Sequence, residues 1–151
     1  MRASFVRTLC TVVAVAVAAC THSPTETVRY VTITPDQPTY AAGSVAIITV
    51  RNVTEGPVGY NFCERLIERA GLGGWDVVER LPANGGACTM ELRTLQPGEA
   101  ATVQVQLPAD LPAGTYRVEL PGIQGNLDIM GPINRASDPF KVRRPTAMVA
   151  D

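Results

Sequence analysis

Residue types that carry proton transfer or nucleophilic attack are scarce in this chain, or badly spaced for it. The single histidine, His22, lies in a polar stretch near the start, which leaves no imidazole base within a fold. Beyond residue 19 the serines are Ser23, Ser44 and Ser137, none of them in a nucleophile elbow. The carboxylates nearest in sequence are Glu64 with Glu68 and Asp76 with Glu79. A glycosidase needs two such groups held across a scissile bond, and on strands these pairs read as charges of an exposed face. Gly71-Leu72-Gly73-Gly74 has no helix after it whose N-terminus would take a phosphate. No Asp-x-Asp-x-Asp calcium loop occurs. The remaining chemistry is sulfur: Cys10, Cys20, Cys63 and Cys88. No catalytic residue, cofactor or resident metal is expected.

Cys20 stands at the end of Val17-Ala18-Ala19-Cys20. Arg2 and Arg7 precede an apolar run from Leu9 to Ala19. A basic start, a short apolar segment and small residues before a cut are the layout of a secretory signal, and the run is too short to span a bilayer. Ala16-Val17-Ala18 also fits an ordinary cleavage site. With a cysteine directly after its small residues, the segment resembles the lipobox of bacterial lipoproteins. That resemblance implies a leader over 1–19, acylation of Cys20, and a mature chain that begins there and is held by its lipid in the cell envelope. Cys10 comes too early and leaves with the leader. Thr21 is not the aspartate that often marks inner-membrane retention in such lipoproteins, so the outer membrane is the expected home where the cell has one.

Losing Arg2 and Arg7 takes the formal net charge from −1 to −3. The charges are interspersed, and no basic patch points to nucleic acid. Lys141-Val142-Arg143-Arg144 is the one basic knot; it reads as the solvated end of a last strand, with contact to anionic lipid or polysaccharide as the alternative. In an oxidising compartment Cys63 and Cys88 are expected to form a structural disulfide. Two thiols with no histidine nearby make a poor zinc site, and their spacing is far from Cys-x-x-Cys.

The elements that would hold these residues are strands. Residues 20–27 read as a polar tether and 145–151 as a tail, leaving 28–144 for one domain. In Thr102-Val103-Gln104-Val105-Gln106-Leu107 the apolar side chains alternate, and Thr115-Tyr116-Arg117-Val118-Glu119-Leu120 repeats this with Tyr116, Val118 and Leu120 inward. Val45 to Val50 is apolar on both faces, as in a central strand. Val31 with Ile33, Met90 to Arg93, and Phe140 with Val142 suggest others. Glu64 to Ala70 could make two helical turns, but like charges at i,i+4 disfavour it. A hairpin is expected instead: Val58 to Arg69, a glycine-rich turn, then Trp75 to Arg80. Trp75, the sole tryptophan, is expected to pack on the sheet as core. Residues 121–138 read as a long connection between sheets, with a short strand at Leu127–Met130. The alternative is a binding loop. Turn signals about every ten residues complete the pattern of an all-β, antiparallel β-sandwich of seven to eight strands.

Three stretches resemble bacterial immunoglobulin-like domains: Tyr40-Ala41-Ala42-Gly43-Ser44-Val45 leading to Asn52, Leu95-Gln96-Pro97-Gly98-Glu99, and Leu111-Pro112-Ala113-Gly114-Thr115-Tyr116-Arg117-Val118. The resemblance implies the sandwich, and makes Tyr116 a tyrosine-corner residue whose hydroxyl bonds backbone upstream. A narrower likeness is to the intracellular proteinase-inhibitor-type domain, in Val50-Arg51-Asn52, Trp75 and the Leu95–Glu99 turn; export and two cysteines depart from it. Such motifs encode turns and packing and recur in unrelated binders. Asn52-Val53-Thr54 matches a glycosylation acceptor, read in a bacterial lipoprotein as accidental. The expectation is a lipid-anchored, non-catalytic domain that meets an envelope protein or glycan, with residues 121–138 and Ala70–Gly74 as the first places to look. The alternative is a lipid-anchored inhibitor of envelope proteases or lytic enzymes.

Overall fold

A computed structural model of the chain describes residues 31–82, 86–89, 91–125 and 133–144. The leader, Cys20, the tether, the Leu127–Met130 segment and the tail lie outside the described residues. Among the described residues every regular element is a strand, and the fold is an all-β sandwich.

One layer is built on β1 (Val31–Pro35), β3 (Val45–Asn52) and β8 (Ala100–Gln106), in the order β1-β3-β8. The other is a five-stranded sheet of β2 (Thr39–Ala41), β11 (Phe140–Arg143), β9 (Gly114–Glu119), β5 (Arg65–Gly71) and β6 (Gly74–Leu81), in that order. A third, short sheet of β10 (Ile123–Gln124), β4 (Val58–Tyr60) and β7 (Arg93–Leu95) closes one end. All pairs are antiparallel except β2 with β11.

The period of two places the core. Val103, Val105 and Leu107 bury from β8 and its end, and Tyr116, Val118 and Leu120 from β9 and its end. They meet Ile48 and Val50 of β3, Ile67 of β5, and Phe140 and Val142 of β11 in a single apolar cluster. The alternation predicts these positions because successive side chains on a strand point to opposite faces.

Several expectations need correction. The segment Val58 to Arg69 is not one strand: β4 and β5 lie in different sheets, and the chain turns at Asn61–Glu64. Val45 and Ile47 face solvent, so β3 is a central strand with one buried face only. The strand placed at Met90–Arg93 forms instead at Arg93–Leu95, with Leu92 exposed; Met90 lies outside the described residues. Trp75 is not core. It is half-buried on the outer face of the five-stranded sheet, beneath the Arg117 guanidinium at 4.4 Å from the ring centroid. Its strand partner Ala70 lies one step past Arg69, which faces the buried Tyr116, so the Ala70–Trp75 pair points outward. The hairpin itself forms as expected, with Gly71 opposite Gly74.

β2 was not foreseen. The first strand divides between the two layers, crossing at Asp36. The Asp36 N–H donates to Ile47 O at 2.9 Å, and its carboxylate accepts from Ile47 N at 3.1 Å and from the Tyr40 hydroxyl at 2.5 Å. Gly98 sits at φ +77° in the Gln96–Glu99 turn, where Glu99 N donates to Gln96 O at 3.0 Å. A positive φ at that position is what glycine supplies.

Candidate functional site

The strand registers define two ends of the sandwich. β3 runs from Val45, opposite Gln106, to Asn52, opposite Val31. At the Val45 end lie the β5–β6 turn, Gly114 and Arg143, because Arg69 pairs with Tyr116, and Val142 with Gly114. At the Asn52 end lie Val31, Leu95, Val58 and, beyond them, Ile123 and the disulfide.

Two cavities open at the disulfide end. Cys63 and Cys88 are joined with Cα atoms 5.5 Å apart, closing a loop with a sequence separation of 25. Asn61 reinforces the junction. Its amide donates to Thr89 O at 2.8 Å and Glu91 O at 2.7 Å, and its carbonyl accepts from Cys63 N at 2.8 Å. Gly122 lets the Pro121–Ile123 backbone come this close, since a Cβ there would lie 2.1 Å from Asn61 O. Beside the disulfide opens a cleft of about 570 Å³ walled by Leu81, Pro82, Leu92 and Pro121, with the Arg80–Glu64 ion pair at its rim. A smaller cavity of about 230 Å³ lies on the other side of Asn61 and Cys63, against the Tyr60–Phe62 pair.

The opposite end carries the hairpin. Leu72 at its tip is fully exposed. Val77 and Val78 on β6 are 51% and 42% exposed. β6 is an edge strand, and the ladder slips opposite Ile67/Glu68, where β6 has one residue more than β5. Bulges of this kind twist an edge away from casual pairing. Among the described residues, no main-chain group of Asp76–Arg80 bonds outside the ladder to β5.

Between the ends, the outer face of the five-stranded sheet holds a charged row. Arg117 Nε donates to the buried Glu68 carboxylate at 2.6 Å while its guanidinium covers Trp75. Glu119 lies diagonally across from Glu68; burial and that neighbouring carboxylate raise its pKa above the usual carboxylate value. Glu64 and Glu68 are thus not brought together, whereas the bulge in β6 sets Asp76 and Glu79 on one face, opposite Arg69 and Ile67. Glu64 goes to Arg80 and Glu68 to Arg117, whereas Glu68 and Glu119 meet from adjacent strands. Asp36 is held below the usual range chiefly by the Tyr40 hydroxyl. Tyr40 is pushed up to about 12 by burial and by Asp36.

Tyr116 Oη donates to Pro112 O at 2.7 Å, the upstream backbone bond expected of it. Ser137 is structural: its hydroxyl accepts from Val118 N at 3.0 Å and donates to Asp138 O at 2.9 Å. Asn52 is fully buried, so the Asn52-Val53-Thr54 match has no accessible amide. Its side chain bonds Gly56 O, Leu95 O and Thr54 N. The crossing at Asp36 and the Asn61 clamp were missed. Asp36 and Tyr40 four residues apart, and an asparagine two before a cysteine, are the only signals the sequence offers for them.

No protein-family model matches the chain, and no curated protein matches it. Among solved structures, it is similar to the Pseudomonas fluorescens alkylpurine DNA glycosylase AlkC bound to DNA containing an abasic site analog. The identity is 11% and the TM-score 0.38, over 76% of this chain and 31% of that one. A likeness at this level carries no argument about activity.

Proposed function

We propose that the protein is an extracytoplasmic lipoprotein, anchored through Cys20, whose immunoglobulin-like sandwich is a non-catalytic module that meets an envelope protein or glycan. The observation that carries the interaction reading is the β5–β6 hairpin. A fully exposed leucine at its tip and two half-exposed valines on its edge strand hold apolar surface in water that the fold does not require. The leader and Val17-Ala18-Ala19-Cys20 support the anchoring, and the Cys63–Cys88 disulfide suits an oxidising compartment.

The test is cross-linking in the native host followed by recovery of tagged protein, in parallel for the unaltered chain, Cys20→Ser, and Leu72→Ser with Val77→Thr. One dominant partner, lost in the last two, is the expected result. Equal recovery from the hairpin variant overturns the interaction reading. A panel of purified proteases run alongside separates the module from an inhibitor.

A further inference from the structure

We infer that the disulfide end of the sandwich is its lipid-facing end, and that Val53, Leu92 and the cleft beside the disulfide rest on the membrane surface while the hairpin tip points away; this rests on anchoring through Cys20. The described chain begins at Val31, paired with Asn52 at the disulfide end. Residues 21–30 separate it from Cys20, and even fully extended they span about 35 Å at most. The eight residues of β3 cover about 25 Å between the two ends. To lay the hairpin tip on the membrane, the tether would have to run back along that whole length, using most of its reach. With the disulfide end down, no such detour is needed.

The surface at that end fits an apolar contact. Val53, directly after β3, and Leu92 at the cleft wall are each 49% exposed. Leu81, Pro82 and Pro121 add apolar walls beside Leu92. Burying such groups at a bilayer interface is favourable by the same apolar-area argument that drives folding. The competing feature is at the other end, where exposed Leu72 sits with Arg143 of the basic knot. An anionic surface would draw that end if electrostatics ruled.

The chain contains one tryptophan, and Trp75 sits beside the hairpin turn, which makes it a reporter for the far end. The chain from Cys20 onward is coupled at Cys20 to a maleimide lipid and bound to vesicles with brominated acyl chains, with and without anionic lipid. Emission is read from Trp75, and from Leu92→Trp and Val53→Trp in a Trp75→Phe background. The expected result is loss of most of the emission, with a blue shift, at positions 92 and 53, and none at Trp75. Quenching at Trp75 that equals or exceeds that at 92 overturns the inference, whichever lipid produces it. Intact mass confirms the disulfide in each variant, and an unchanged far-UV circular dichroism spectrum shows that the fold is kept. The mass of Cys20 in protein from the native host decides the anchoring separately, since the vesicle arm couples the lipid chemically.

Discussion

The two ends of this sandwich are held by different means. At the hairpin end, long strands pair directly and glycines make the turns, so the main chain does most of the holding. At the disulfide end, β4, β7 and β10 are only two or three residues long. There, side chains take over: the Cys63–Cys88 bridge, the Asn61 clamp and the Asn52 bonds to Gly56 O and Leu95 O. Short strands leave backbone groups without ladder partners, and buried polar groups must be satisfied by something. The contrast explains why the same fold shows a projecting apolar tip at one end and a stapled cleft at the other.

The largest effect should come from breaking the staple. Cys63→Ser removes a bridge that contributes about 3 kcal/mol in the chain-entropy model, and the unfolding free energy from urea melts should fall by that amount, with a lower midpoint. Asn61→Ala frees Thr89 and Glu91 from the same junction. It should cost about 1 kcal/mol, since the two exposed carbonyls that lose their donor can bond water, with faster amide exchange around Cys63. At the other end, Tyr116→Phe removes one hydroxyl bond to Pro112 O and keeps the ring buried. A loss of about 1 kcal/mol in thermal or urea melts is expected.

Two carboxylates give pH signatures of opposite sign. Asp36 is depressed in the fold, so its contribution is present above its ordinary value of 3.8 and is lost as pH falls through the folded value. Asp36→Asn should therefore be less stable than the unaltered protein at neutral pH, and the gap should close in acid. Glu119 is raised above 4.5, so its effect is favourable below that value and is lost as pH rises through the folded value. Glu119→Gln should match or exceed the unaltered protein at neutral pH, with its advantage vanishing in acid. Melts at a series of pH values check both. Smallest of all, Leu72→Ser should leave stability unchanged, because the side chain touches only solvent.

Legibility in the sequence follows the same division. The hairpin, β8 and β9 could be read because long half-buried strands alternate, as at Val103-Gln104-Val105 and Tyr116-Arg117-Val118. The disulfide was expected because a leader read over residues 1–19 leaves Cys63 and Cys88 as the one pair besides Cys20. The short strands were lost because three residues hold too little alternation to identify. A lone tryptophan predicts core, whereas Trp75 lies on the outer face and Arg117 from the next strand but one supplies its cover. The Glu68–Glu119 meeting joins residues 51 positions apart, and only strand order brings them together.

Photo-cross-linking from each end of the native protein in its host tests the central claim most directly. A photoreactive residue at position 92 should capture lipid, and one at position 72 should capture a protein or glycan of the envelope. Lipid captured from position 72, with none from 92, would contradict both the orientation and the role given to the hairpin.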